Sequence, residues 1–193
     1  MLTNQIILPN RDIPTNPLFK HHNRPCEGSY GPDPTKICAI SIVRSGDALL
    51  EVVRDVEPAV KVGKILIQRD ESHPDKIAKL FYSKLPPTAG TPETPYVLLC
   101  DPMLATGGSA LKAIEVLVGD KYKVAPENII FANMICAPEG LKKMAETYPQ
   151  IKIVTAAIDD CLNEHKFIVP GLGELKFQNV LTNEYACDEG TRS

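Results

Sequence analysis

Residues 96–109, Tyr-Val-Leu-Leu-Cys-Asp-Pro-Met-Leu-Ala-Thr-Gly-Gly-Ser, hold the side chains best suited to chemistry. A short apolar run ends in an acid, Asp101, and a loop of small and hydroxyl-bearing residues follows. Ala110, Ala113, Ile114 and Leu117 then repeat at helical spacing. The apolar run reads as a strand covered on both faces. Thr106-Gly107-Gly108-Ser109 lacks bulk, and glycine lets backbone N–H groups approach an anion and permits positive φ. Ser109 is the expected N-cap of the helix, whose free N–H groups and positive dipole end favour a phosphate. Asp101 falls at the strand tip, where open α/β sheets bind ligands. An anion cradle beside a carboxylate suits a phosphorylated sugar: one holds the phosphate, the other accepts hydrogen bonds from ring hydroxyls. A plain strand–turn–helix connection with a capping serine is the alternative. The glycine pair alone favours that alternative, and Asp101 with Thr106 shifts the balance toward a site.

Nucleotide P-loops place a lysine and then Ser or Thr after the second glycine, whereas Gly108 is followed directly by Ser109. The Gly-x-Gly-x-x-Gly spacing of dinucleotide sites is also unmatched. An ATPase and a dehydrogenase are both disfavoured.

These residues need a scaffold, and strand and helix patterns alternate along the chain. Strands are expected over residues 37–43, 64–68, 96–100, 128–136 and 151–158, and helices over 48–56, 110–117 and 139–147. That order implies parallel βαβ units with right-handed crossovers. Residues 1–34 are rich in Pro and Asn with little periodicity, residues 175–193 are polar and irregular, and the proline-rich residues 72–95 read as a long loop.

The 193 residues are enough for one domain with a real core. A 44% hydrophobic and 23% charged composition is ordinary for a globular protein. The net charge of −3 gives no footprint for nucleic acid or an anionic membrane, and no apolar run is long enough to span a bilayer. Residues 1–11 lack a secretory pattern. None of the 6 cysteines forms a Cys-x-x-Cys pair, so zinc and redox motifs are unsupported and no metal ligands are assigned. Cytoplasm is the expected location.

Asp101-Pro102-Met103-Leu104-Ala105-Thr106-Gly107-Gly108-Ser109 resembles the 5-phosphoribosyl 1-diphosphate (PRPP) motif of uracil phosphoribosyltransferases. Other type I phosphoribosyltransferases usually carry two adjacent acids there. The resemblance continues in order through Ser41-Ile42-Val43-Arg44-Ser45-Gly46, Lys64-Ile65-Leu66-Ile67-Gln68-Arg69-Asp70-Glu71, Ala137-Pro138-Glu139-Gly140 and residues 162–173. It implies an α/β, type I phosphoribosyltransferase-like fold: a mainly parallel twisted sheet flanked by helices, with a flap at about 72–95 and a small base-binding hood. The phosphoribosyltransferase domain would span residues 35–174.

The implied reaction joins uracil to PRPP, giving UMP and diphosphate in pyrimidine salvage. Arg44 and Arg69 would bind PRPP on its diphosphate side, as forked guanidinium groups suit phosphate. Asp101 would accept hydrogen bonds from the ribose, and these three are the candidate catalytic residues. Pro102, Met103, Leu104, Ala105, Thr106, Gly107, Gly108 and Ser109 would line the 5′-phosphate site, with Glu174 also on PRPP. Ile168, Gly173, Glu174 and Leu175 would form the uracil pocket, and His165 would be a wall or structural residue. Mg²⁺ is implied, borne by the substrate, together with a GTP effector and a homodimer or larger homo-oligomer. No segment locates the GTP site.

Bland readings stand beside these roles. Taken alone, Arg44 reads as a solvated strand-end arginine, and the resemblance is what favours the functional role; Arg69 also reads as a partner of Asp70 and Glu71, the flap as a solvated hairpin, and Pro170-Gly171 as a turn. The pattern also departs from the family. After Gly173 comes Glu174-Leu175-Lys176-Phe177, where relatives carry Asp and then a Gly-Asp pair, and the helical segment that relatives place before the Pro25 region is missing. An alternative therefore accompanies the enzyme reading: a catalytically impaired member that binds PRPP or nucleotide in a regulatory role.

Overall fold

The computed structural model describes residues 15–21, 24–29, 33–69 and 78–171. Strands β1 (Thr15–His21) and β2 (Arg24–Ser29) pair antiparallel as a separate two-stranded sheet. The sequence by itself predicts no regular element over residues 1–34. Pro17 and Pro25 interrupt any local period there, and a two-stranded ribbon, which is all edge, tolerates them.

The main sheet carries β3 (Ile37–Val43), β4 (Lys61–Arg69), β5 (Ala78–Lys84), β6 (Tyr96–Cys100), β7 (Met103–Leu104), β8 (Ile129–Cys136) and β9 (Lys152–Ile158). The helices are α1 (Gly46–Val56), α2 (Gly108–Val118) and α3 (Pro138–Thr147). A small antiparallel hairpin of β10 (Cys161–Leu162) and β11 (Ile168–Val169) follows. The spatial order is β5-β4-β3-β6-β8, with β9 on the far side of β8. All pairs from β4 to β9 are parallel, and only β5 runs antiparallel, against β4.

Strand β3 shows why the sheet needs helices on both faces. Cys38, Ile40 and Ile42 enter the large core with Ala113, Ile114 and Leu117 of α2, whereas Ala39 packs with Leu50 of α1. Alternate residues point to opposite faces, so a strand buried on both must be apolar throughout. Each fully buried aliphatic side chain contributes about 1.5–3 kcal/mol by leaving water. No helix among the described residues is long and apolar enough to cross a membrane.

Part of the expected 72–95 loop is a strand. Ala78 and Leu80 pack on the core while Lys79 and Phe81 are exposed, and β5 aligns Arg69 with Ala78 and Lys64 with Lys84. The prolines downstream hid this short alternation. After β5 the loop is fastened to β4, where the Lys61 ammonium donates to Thr88 Oγ1 (3.0 Å), Glu93 Oε1 (2.8 Å) and buried Thr94 Oγ1 (3.1 Å). Residues 70–77, the start of the expected flap, lie outside the described residues, as do 175–193.

Candidate functional site

Chain order reverses direction at β3. From β3 the chain steps outward to β4, and the later strands β6, β8 and β9 build on its other side. The gap between the carboxyl ends of β3 and β6 is therefore a topological switch point, the usual place for a ligand in an open α/β sheet. Arg44-Ser45-Gly46 leaves β3 there and Asp101 leaves β6 there.

Asp101 is 7% exposed and is held from several directions. Its Oδ1 accepts from Ser45 Oγ at 3.1 Å, its N–H donates to the Ala132 carbonyl at 3.1 Å, and its carbonyl accepts from Asn133 Nδ2 at 3.2 Å. Buried Asn133 accepts in turn from Thr155 Oγ1 at 2.7 Å. Buried amides need such partners, so Asn133 and Thr155 form a polar brace behind the carboxylate. The sequence reading missed both, because an Asn inside an apolar strand has no local signature.

Strand pairing accounts for residues 102–104. β6 pairs with β8 through Cys100, and β7 resumes on the same edge, Met103 opposite Ile135 and Leu104 opposite Cys136. The Pro102 carbonyl accepts from both Met134 and Ile135 N–H (3.1 and 3.0 Å). Proline has no N–H to give to a ladder, so the interruption falls where it sits. The Leu104 side chain lies in the core, so only its backbone is left for a ligand role.

Ala105, Thr106, Gly108 and Ser109 are half-buried at the mouth of this strand. The expected cap is shifted: Gly107 is the N-cap of α2, at φ 78°, and Ser109 is the second helical residue. A left-handed φ at the cap suits glycine and penalises residues with a Cβ. The first helical bond runs from Leu111 N–H to the Gly107 carbonyl at 2.9 Å, so the amides of Gly108, Ser109 and Ala110 precede the ladder. Thr106 Oγ1 accepts from Gly108 N–H at 3.5 Å, the long limit for such a bond.

The start of α3 serves this loop and the hairpin together. A Cβ at Gly140 would collide with the Ala105 carbonyl oxygen, so the helix presses directly on the loop. Its neighbour Glu139 accepts from Leu162 N–H at 3.0 Å and fastens the hairpin. In the hairpin, Asn163 Oδ1 accepts from the His165 and Phe167 amides (3.0 and 2.9 Å) and closes the turn. His165 itself is exposed, on the hairpin turn. Ile168 is half-buried, and Asp159 Oδ2 accepts from Gly171 N–H at 2.7 Å.

Arg44 is exposed beyond β3, and its carbonyl accepts from Asp47 N–H at 3.1 Å. Arg69 ends β4, and its side chain is outside what is described, as are Gly173, Glu174 and Leu175. The structure therefore brings Arg44, Ser45, Asp101 and residues 105–109 to one end of the sheet. Cys100 lies next to Asp101, but burial and then the Asp101 charge push its thiol up to about 12, so it is no nucleophile at neutral pH.

The family model described as "Uracil phosphoribosyltransferase" matches residues 11–175. The uracil phosphoribosyltransferase of Saccharomyces cerevisiae is 50% identical over 139 residues, which is 72% of this chain and 61% of that protein. That of Dictyostelium discoideum is 48% identical over 140 residues, 72% of this chain and 62% of that protein. The chain thus spans about three-fifths of the length of these relatives. Among solved structures, the AQ2163 protein of Aquifex aeolicus superposes with a TM-score of 0.67 at 29% identity, covering 86% of this chain and 74% of that one. With a family match over most of its length and the motif's carboxylate buried at the switch point of a parallel sheet, this chain belongs to the uracil phosphoribosyltransferase family.

Proposed function

We propose that this chain transfers the 5-phosphoribosyl group of PRPP to uracil, forming UMP and releasing diphosphate. The observation that carries the reading is the meeting of two strand ends at the switch point, with Ser45 Oγ 3.1 Å from Asp101 Oδ1. A sugar bound there would have the Arg44 loop on one side and the 105–109 loop on the other. A ring nitrogen of uracil forms the new bond to the anomeric carbon as the carbon–oxygen bond to diphosphate breaks; the electron pair of that bond leaves on diphosphate, and the proton that the nitrogen gives up passes to diphosphate or water. The transition state carries oxocarbenium character, so its demands are alignment, stabilisation of the leaving group and exclusion of water.

In this reading Arg44 and Arg69 bind the diphosphate and Asp101 grips the ribose hydroxyls. The backbone amides at the start of α2, with the Thr106 and Ser109 hydroxyls, bind the 5′-phosphate. Ile168 covers the base, and Gly173, Glu174 and Leu175 complete its pocket. Mg²⁺, carried by PRPP, would offset the charge of the diphosphate. Among the described residues Asp101 is the one carboxylate that leaves β6 here, a donor set that suits an ion held chiefly by substrate phosphates and water. The proposal extends to a cytoplasmic enzyme, activated by GTP and assembled as a homodimer or larger homo-oligomer. The exposed apolar side chains of Met134, Val154 and Ile158 on the sheet support assembly.

The test is formation of labelled UMP from labelled uracil, PRPP and Mg²⁺, with diphosphate assayed in parallel. Stoichiometric UMP and diphosphate are the expected result. PRPP binding without turnover would overturn the enzymatic reading in favour of a regulatory one, and no binding would overturn both.

A further inference from the structure

We infer that Asp47 is a positioning residue for the diphosphate end of the site, clamping the Arg44–Gly46 loop to two strands at once. The inference rests on the phosphoribosyl-transfer reading above. Ser41 in β3 and Lys64 in β4 are register partners in the parallel pair, so their side chains emerge side by side on the α1 face. Asp47, in the first turn of α1, receives both. Its Oδ1 accepts from Ser41 Oγ at 2.5 Å and its Oδ2 from the Lys64 ammonium at 3.0 Å.

The two bonds are different in kind. Ser41 is 0% exposed, so its hydroxyl needs a partner inside the protein, and breaking that bond strands a buried polar group. The Lys64–Asp47 pair is half open to water, so solvent and salt screen it. A buried anchor sets the place of Asp47, and the outer pair sets its orientation.

From there the geometry runs directly to the loop. Asp47 N–H donates to the Arg44 carbonyl at 3.1 Å, and Ala48 N–H to the Ser45 carbonyl at 3.3 Å. A Cβ on Gly46 would collide with the Cys100 carbonyl oxygen, so the loop lies flat on the end of β6. Ser45 reaches Asp101 from that position. Among the described residues, the hydrogen bonds of Asp47 go to Ser41, Lys64 and the Arg44 carbonyl, which places its influence on the strand-end loop assigned to the diphosphate.

The experiment compares wild type, Asp47→Ala, Asp47→Asn and Lys64→Met by steady-state kinetics, diphosphate calorimetry and thermal melting. Asp47→Ala is expected to raise the KM for PRPP and the Kd for diphosphate about tenfold, as loss of charge-assisted bonds would. The KM for uracil should stay within about twofold, because the base site is untouched. Asp47→Asn keeps an acceptor for Ser41 and should recover most of the PRPP affinity. Lys64→Met removes only the outer bond and should raise that KM by about threefold; it also serves if Asp47→Ala does not fold. An unchanged KM for PRPP in a folded Asp47→Ala or Lys64→Met protein overturns the inference, as does a parallel rise in both KM values. A wild type that makes no UMP overturns the functional reading and this inference with it, whereas an active wild type with unmoved variants overturns this inference alone.

Discussion

Ser45 and Asp101 meet across the switch point of the sheet, hydroxyl to carboxylate at 3.1 Å, although 56 positions separate them in the chain. One residue leaves β3 and the other leaves β6, so the bond joins the two strand ends between which a ligand would sit. It occupies a carboxylate oxygen that, in the proposed reaction, a ribose hydroxyl also needs.

Replacing Ser45 with Ala should therefore ease access to Asp101. The expected result is a KM for PRPP lowered by about two- to fivefold, the scale of one net hydrogen bond. Kinetics at saturating uracil will show it. A raised KM would mean that Ser45 orients the carboxylate instead of competing for it.

Asp101→Asn keeps shape and removes charge. The proposed ribose contacts are charge-assisted, so kcat/KM for PRPP should fall by about 10- to 100-fold. An amide oxygen can still accept from Ser45, so the bond across the switch point is kept. Unchanged kinetics would remove Asp101 from the site.

Gly140→Ala tests the seam between α3 and the anion loop. The added methyl would meet the Ala105 carbonyl oxygen and crowd Leu104. A destabilisation of about 1–3 kcal/mol is expected by denaturant unfolding, as for other overpacked sites. Weaker PRPP binding should accompany it, because the carbonyl that must move belongs to the loop.

Asn133→Leu removes the brace behind Asp101. The Asp101 carbonyl and the Thr155 hydroxyl both lose a partner. A loss of about 1–3 kcal/mol in stability is expected from removing the buried donor to the Asp101 carbonyl, whereas the Thr155 hydroxyl keeps the Ala157 carbonyl at 3.0 Å. Thr155→Val alone should cost less, because it leaves the Asn133–Asp101 bond in place.

Alkaline pH should weaken the fold through its buried thiols. Burial pushes Cys38 and Cys100 up to about 12 from an ordinary value of 9.0. Below pH 9 both the folded and unfolded chains keep these protons, so the thiols contribute no pH dependence. Between 9 and about 12 the unfolded chain loses protons that the folded chain retains, so stability falls as pH rises. Urea midpoints measured from pH 8 to pH 10 should decline, and less steeply in a Cys38→Ala, Cys100→Ala protein. In the native protein at pH 8, exposed Cys161 should react with an alkylating reagent well before Cys38, Cys100 or Cys136, all of which are buried.

Residue types alone settled a good deal. Apolar runs too continuous for a one-sided strand, alternating with helical periods, required a parallel sheet with helices on both faces, and β3, β6 and α2 stand where those patterns placed them. Asp101 and its glycine loop were legible because strand, acid, small residues and helix follow in an unbroken local order. What local order does not contain is partnership across the sheet. The 32 positions from Asp101 to Asn133, the register that sets Ser41 beside Lys64, and the contact of Gly140 with Ala105 exist only once strands choose neighbours. The shifted cap at Gly107 has the same origin, since its backbone turns left-handed where α3 crowds the loop from the side. Strand β5 escaped notice because its short alternation gains its core face only by pairing with β4. Short-range chemistry wrote the elements and the central acid; burial and long-range hydrogen bonding selected the side chains that hold that acid in place.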